Sequence, residues 1–426
     1  MTKADILAAL DSPGHLETLY RSNPEEFRQS FPEAFAQQPN ALVLKIWQER
    51  LKPLTEISGD RKPFWLMLAV MAVTALLFRL SALYLPDNKI FDHKLFFPLL
   101  FTGQMAYFLV RYRQPARWIG WLLSLAIACG LFSVFLPDPP PDSYIDTLFS
   151  IDTSRSDALR LSQWHLPFVL WSLLGVAFCG PTFNSTERRL QYLRLWGETL
   201  IYTFLLLMAG AALSVFVSAL FKLIQINIFS WYFRNVVVVG LMAIPLTATW
   251  LADTTTFRAR LAWLLARLFS PLLLMLMLAY LMTMLIQPHN LLLDRDALMA
   301  FNGLLLVVLA MTVFSLSDQS SADHPRWLIL LNIGLIAVTL LIDAIALTAI
   351  ATRLASMGWT PNRIAVLGIN LLVFIHLIGL LHGYWSTMKT PIRDAQFKQW
   401  IAGYLPVYSI WCIIVTFGFP LLYGVF

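Results

Sequence analysis

An aspartate and a histidine sit deep within two apolar runs that a short turn joins. Asp343 stands about fifteen residues before Gly358, and His376 about fifteen after Pro361. At about 1.5 Å per residue, both fall roughly 22 Å from the turn, near the midplane of a bilayer. An acid and an imidazole at one depth on neighbouring antiparallel helices could relay a proton or hold a small cation. Ionisable groups inside a membrane are costly and face the bundle interior or a water-filled cavity. Asn332 and Thr339 precede Asp343 by eleven and four residues. At about 100° per residue they share its face to within about 40°, which makes one polar stripe on a helix otherwise rich in Leu, Ile and Ala. The structural alternative is a set of buried interhelical hydrogen bonds, with His376 as a satisfied packing group. No HxxxH or HExxH pattern accompanies His376, so no metal is expected there. His382 lies nearly two turns farther on, toward the interface.

The elements that must position these groups are written in the residues around them. One span is expected from about Trp327 to Leu354 and the next from about Pro361 to Trp385. Gly358 can end the first in a left-handed turn. Thr360 is a good N-cap, and Pro361 at the first helical position loses no hydrogen bond. The second helix carries Gly368, Gly379 and Gly383; the last two have the GxxxG spacing that allows close helix approach. Two secondary candidates stand elsewhere. Glu198 opens an expected span at 195–221, where an acid complements the helix dipole or contacts an ion. Arg363, three residues into its helix, can order the Thr360 turn or contact lipid headgroups. Arg79 is expected to snorkel to an interface. Asn235, Asn302 and Asn370 read as interhelical hydrogen bonds.

The whole composition agrees with a lipid setting. The chain is 58% hydrophobic and 13% charged, with a mean hydropathy of +0.66, against about a quarter charged in soluble domains. Apolar runs long enough to cross fall near 63–85, 94–111, 117–136, 165–183, 195–221, 229–251, 262–286, 297–316, 327–354, 361–385 and 404–426. The expected fold class is therefore all-α: a polytopic membrane protein of about eleven transmembrane helices (63–426), with a small helical cytoplasmic segment at 1–62. The division between 195–221 and 229–251 is the weakest, because the connection is itself apolar. With the N-terminus inside, the inner loops collect Arg111, Arg113 and Arg117; Arg188, Arg189 and Arg194; Arg258, Arg260 and Arg267; Arg326; and Lys389, Arg393 and Lys398. That bias follows the positive-inside rule and sends the C-terminus to the periplasm. An acidic outer loop is expected at 137–164, entered through Pro139-Pro140-Pro141. A short amphipathic interfacial helix is expected at 391–404, carrying Phe397, Trp400, Ile401 and Tyr404. The net charge of +6 comes mostly from residues flanking apolar runs, and no basic block interleaves with aromatics, so nucleic acid is not an expected partner. Cys129, Cys179 and Cys412 all fall inside apolar runs and form no CxxC pair, which suggests neither a disulfide framework nor a zinc site.

The polar N-terminal segment lacks the basic start and apolar core of a cleaved signal. Asn23-Pro24-Glu25-Glu26 caps one short helix. A helix from Asn40 through Leu51 has an apolar stripe of Leu42, Val43, Ile46, Trp47 and Leu51. This segment can cap the inner ends of the spans, lie on lipid or dock a soluble partner.

Three motifs carry a resemblance. His15-Leu-Glu-Thr-Leu-Tyr-Arg21 with Phe27, Ile46-Trp-Gln-Glu-Arg-Leu51, and the turn Gly358-Trp-Thr-Pro-Asn-Arg363 resemble a family of bacterial multi-pass membrane proteins, the domain-of-unknown-function family four-one-five-three. The likeness in architecture spans nearly the whole chain. It implies the topology above and a bacterial inner membrane, and it brings no activity with it.

No P-loop, GxGxxG, GxSxG or zinc motif occurs, and no cofactor is expected. The leading expectation is a non-enzymatic, transporter-like or accessory membrane protein in contact with lipid. One rival is an enzyme on a lipid-linked substrate at the outer face, supported only by Asp87, Asp92, Asp142 and Asp146. Another is an assembly or signalling scaffold that uses residues 1–62 as its partner surface.

Overall fold

A computed structural model describes residues 3–10, 13–22, 24–38, 41–51, 62–84, 94–138, 154–223, 228–254, 261–286, 295–315, 326–389 and 394–425. Every regular element among them is helical. The chain divides into two compact units, Met1–Pro63 and Phe64–Phe426.

Among its described residues the first unit holds four short helices: α1 (Lys3–Ala8), α2 (Pro13–Ser22), α3 (Pro24–Gln37) and α4 (Leu42–Leu51). Pro13 and Pro24 stand first in their helices, where a missing N–H costs nothing. Ile6, Leu16, Phe27, Phe31, Leu44 and Trp47 make its core. The Phe27 and Trp47 rings lie 4.9 Å apart. On α4 the expected stripe splits. Leu44 and Trp47 turn inward, while Leu42 and Ile46 are 72% and 60% exposed.

The second unit contains α5 (Lys62–Tyr84), α6 (Phe96–Arg111), α7 (Ala116–Phe135), α8 (Ser154–Cys179), α9 (Thr186–Leu223), α10 (Val238–Thr254), α11 (Leu261–Ile286), α12 (Arg295–Ser315), α13 (Arg326–Met357), α14 (Pro361–Lys389) and α15 (Asp394–Ile413). Two π-turns extend this set: Phe233–Val237 leads into α10, and Ile414–Gly418 follows α15 and continues into Phe419–Leu422. Among the described residues, eight helices are long and apolar enough to cross a membrane: α5, α7, α8, α9, α10, α13, α14 and α15 with their extensions. Shorter apolar stretches lie in α11 (Leu268–Thr283) and α12 (Phe301–Val313), and α6 is 16 residues long.

Three boundaries differ from those read in the sequence. Helix α8 begins at Ser154, not near 165. Its polar first turns are helical because they are tied to the C-terminal end of the chain. Ser162 donates to the Thr416 carbonyl at 2.6 Å, and Arg155 donates to the Val425 carbonyl at 3.0 Å. Helix α9 begins at Thr186, not 195, so its first three turns carry Arg188, Arg189 and Arg194, the basic residues assigned to a loop. The segment 391–404 and the span 404–426 are not two elements. From Asp394 onward one helix runs through position 404 to Ile413, because Phe397, Ile401 and Tyr404 are buried and pack with α14. Residues 391–393 lie outside the described set, as do Pro139-Pro140-Pro141.

That α14–α15 contact explains the glycines of α14. A Cβ on Gly368 would lie 2.0 Å from the Trp411 ring, one on Gly379 2.1 Å from Trp400, and one on Gly383 2.1 Å from Phe397. The glycines are seats for three aromatic side chains of α15.

A polar seam and an aromatic histidine

The turn between α13 and α14 fixes their register. Gly358 has a φ of +84°, in the left-handed region open to glycine. Pro361 starts α14. The Thr360 hydroxyl accepts from the Arg363 backbone N–H at 3.4 Å, and the Arg363 guanidinium donates to the Gly358 carbonyl at 2.8 Å. Arg363 thus folds back on its own turn.

From this turn the two helices run antiparallel. Near their far ends, Asn332 Nδ2 donates to the Tyr384 hydroxyl at 3.2 Å, and that hydroxyl donates to the Thr312 carbonyl of α12 at 2.8 Å. Farther along, Asn370 Nδ2 donates to Asn302 Oδ1 at 2.9 Å. Amides and a phenol therefore stitch α12, α13 and α14 together. Thr339 donates to the Leu335 carbonyl of its own helix at 2.7 Å.

Asp343 belongs to this seam by position. It lies eleven residues beyond Asn332 on α13, and eleven residues back from Tyr384 on α14 is Val373. Asp343 therefore comes level with Val373, about one turn from both Asn370 and His376. It is completely buried, and neither carboxylate oxygen has a hydrogen-bond partner among the described residues. A bare charge in such a setting costs several kcal/mol or more, so the group must hold a proton or face a cation.

His376 turns to the other side of α14. Its ring stacks on Tyr404 of α15, with centroids 4.2 Å apart and planes 11° from parallel. Its Nδ1 is 2.9 Å from the Tyr408 hydroxyl. Trp400 Nε1 donates to the His376 carbonyl at 3.4 Å. Nε2 is buried without a partner among the described residues. No hydrogen bond joins Asp343 to His376. The structure brings Asn332 together with Tyr384, and His376 together with Tyr404 and Tyr408.

Glu198 is the thirteenth residue of α9, counting from Thr186. It is half-buried there, beyond the reach of the first-turn dipole argument. Arg79 donates to the side chain of Asn235 in the π-turn before α10. Asp87, Asp92, Asp142 and Asp146 lie outside the described residues. No group of three His, Cys, Asp or Glu side chains suited to a metal occurs among the described residues.

A second polar cluster has no counterpart in the sequence reading. The Asp253 side chain at the end of α10 is 7% exposed. It accepts from the Tyr112 hydroxyl at 2.6 Å, the Tyr107 hydroxyl at 2.9 Å and Arg111 Nε at 3.3 Å. The Arg188 guanidinium lies over the Tyr112 and Phe178 rings at 5.7 and 5.0 Å. Tyr112 follows the last residue of α6. Burial, and then the Asp253 carboxylate beside it, push its phenol above the usual range. This cluster ties the basic end of α6 to α10. Tyr384 was also missed, although a signal for it exists. Asn370, Val373, Leu377, Leu380 and Tyr384 recur at three- and four-residue steps and are all buried, so a polar group at each end of that stripe marks a seam.

No protein-family model, no curated protein and no solved structure matches this chain.

Proposed function

We propose that the chain is a multi-pass bacterial inner-membrane protein of eleven spans, with its N-terminus in the cytoplasm, that passes a proton or a small monovalent cation through a site centred on Asp343. The observation that carries this reading is the completely buried, unbonded carboxylate of Asp343, level with a seam of amides and hydroxyls that hold three helices. Thr339 and Asn370, each about one turn away, supply neutral dipoles near it, while Asn332 holds the seam about 16 Å farther along α13. His376 serves the α14–α15 contact and acts on the site through the position of α14. Membership in the domain-of-unknown-function family four-one-five-three is part of the same proposal, resting on the Gly358–Arg363 turn and the two N-terminal motifs.

The test uses Asp343→Asn and His376→Ala in the full chain, reconstituted into vesicles with a pH-reporting dye and an imposed potential. A folded Asp343→Asn protein is expected to lose ion flux, and His376→Ala to keep a reduced flux. If both variants match the wild type in flux and in the growth of cells that depend on the protein, the site is wrong.

A second reading rests on the first unit, which is compact by itself and exposes Leu42 and Ile46 at four-residue spacing. Such a patch suits an assembly partner. Co-purification with and without residues 1–62 separates it from the transport reading.

A further inference from the structure

The arginines at the basic end of the second unit are not equivalent. Arg111 bonds Asp253. Arg188 reaches Gln191 Oε1 at 3.1 Å and the Phe178 carbonyl at 3.2 Å. Arg189 reaches the Phe183 carbonyl at 2.7 Å. The side chain of Arg117, in the first turn of α7, makes no hydrogen bond or ion pair with any described residue. It lines an open hollow of about 350 Å³ together with Trp118 and Trp121. Phe183 backs Trp118, with centroids 6.0 Å apart, and Trp121 stands edge-on to Trp118 at 5.9 Å.

Beyond the hollow, the same face of α7 stays uncovered by protein. Trp121, Ile127, Leu131 and Phe135 are 55%, 59%, 53% and 75% exposed. From Arg117 to Phe135 this face runs for about 27 Å, close to the thickness of a hydrocarbon core. An exposed cation with no ion pair among the described residues therefore sits where an apolar face begins, in an open hollow beside two indoles. Tryptophan favours that boundary, because its ring suits hydrocarbon and its N–H suits the headgroup layer.

We propose that this hollow binds an anionic phospholipid, with its phosphoryl group on Arg117 and its acyl chains along Trp121 and the apolar face of α7. A guanidinium pairs with phosphate oxygens by two parallel N–H bonds, and the Trp118 and Trp121 indoles that flank the exposed Arg117 give the upper part of the lipid an apolar wall. The assignment is independent of Asp343.

The test is native mass spectrometry of the full chain in detergent, titrated with phosphatidylglycerol, with phosphatidylethanolamine, and with inorganic phosphate. The wild type is expected to retain phosphatidylglycerol in preference to phosphatidylethanolamine. Arg117→Gln is expected to weaken that retention roughly tenfold, the loss of a charge-assisted bond, and Trp121→Ala to weaken it as well. Arg113→Gln removes a charge from the turn just before α7 without touching the hollow and is expected to leave retention unchanged. Thermal unfolding checks that each variant is folded. Equal loss in Arg113→Gln, or none in Arg117→Gln, overturns the site. Displacement of lipid by inorganic phosphate overturns the lipid in favour of a free anion. A dimer that forms without lipid and vanishes in Trp121→Ala overturns it in favour of a second copy of the chain.

Discussion

The aromatic seats of α14 make a quantitative claim about Gly379. An alanine there would place its Cβ 2.1 Å from Cε2 and Nε1 of Trp400. Non-bonded carbons rest about 3.5 Å apart or more, so the indole would have to retreat by roughly 1.4 Å. Trp400 is 39% exposed, so it can move outward only by giving up its contacts. Its Nε1 bonds the His376 carbonyl, and its ring meets Tyr404 at 5.3 Å and His376 at 6.4 Å. Overpacking of this kind costs about 1–3 kcal/mol, and loss of the indole bond adds about 1 kcal/mol. Against this stands the intrinsic helix preference of alanine over glycine, also about 1 kcal/mol. The net expectation for Gly379→Ala is a destabilisation of about 1–3 kcal/mol. Gly403 on α15 is the matched control, because a Cβ there meets nothing within 4 Å. Gly403→Ala should be neutral or stabilising by up to about 1 kcal/mol. The assay is unfolding in mixed micelles of dodecyl maltoside and sodium dodecyl sulfate, followed by tryptophan fluorescence. A double variant with Trp400→Leu should recover at least about 1 kcal/mol of the loss, since the two side chains compete for one volume. If Gly379→Ala unfolds with Gly403→Ala rather than well before it, the seats are not occupied as described.

Two further outcomes follow from the polar clusters. Tyr384→Phe removes the hydroxyl that links Asn332 to the Thr312 carbonyl, and the same unfolding assay should show a loss of about 1–2 kcal/mol. For the Asp253 cluster the sign comes from Tyr112, whose phenol is held above its ordinary value by burial and by the carboxylate. The contribution of Tyr112 to stability is therefore complete below a pH of about 10 and declines as the pH rises beyond it; Tyr112→Phe should lessen the alkaline decline, and the Tyr107 hydroxyl on the same carboxylate keeps part of it.

The α13–α14 turn was legible because its grammar is local. Gly358, Thr360 and Pro361 each dictate a backbone state at their own position, and all three act in the structure as their types require. Asp343 and Asn332 stood out because polar groups are rare in such a helix. Asp253 did not stand out, since an acid at the end of an apolar run looks solvated. What makes it a site is Tyr107, Arg111 and Tyr112, more than a hundred residues earlier in the chain, and no periodicity encodes that pairing. Hydropathy also misplaced the starts of α8 and α9. It reports how much of a helix suits lipid, whereas Ser162 and Arg155 extend α8 by bonding to carbonyls at the far end of the chain. The glycine spacing on α14 suggested two backbones in close approach, and only side-chain placement reveals that rings fill those gaps.

The π-turn at Ile414–Gly418 has a consequence for how the C-terminus can vary. A wide turn stores one residue more than regular winding needs, which rotates everything after it by about 100°. That rotation lets Phe419 and Val425 join Leu136, Ala158 and Leu159 in one cluster, while the Ser162 hydroxyl takes up the carbonyl of Thr416. Removing a single residue from this turn would leave a perfectly good helix whose final aromatic points at the wrong neighbours. A relative one residue shorter at this point would therefore need a different set of side chains on α8, and the two changes should be inherited together.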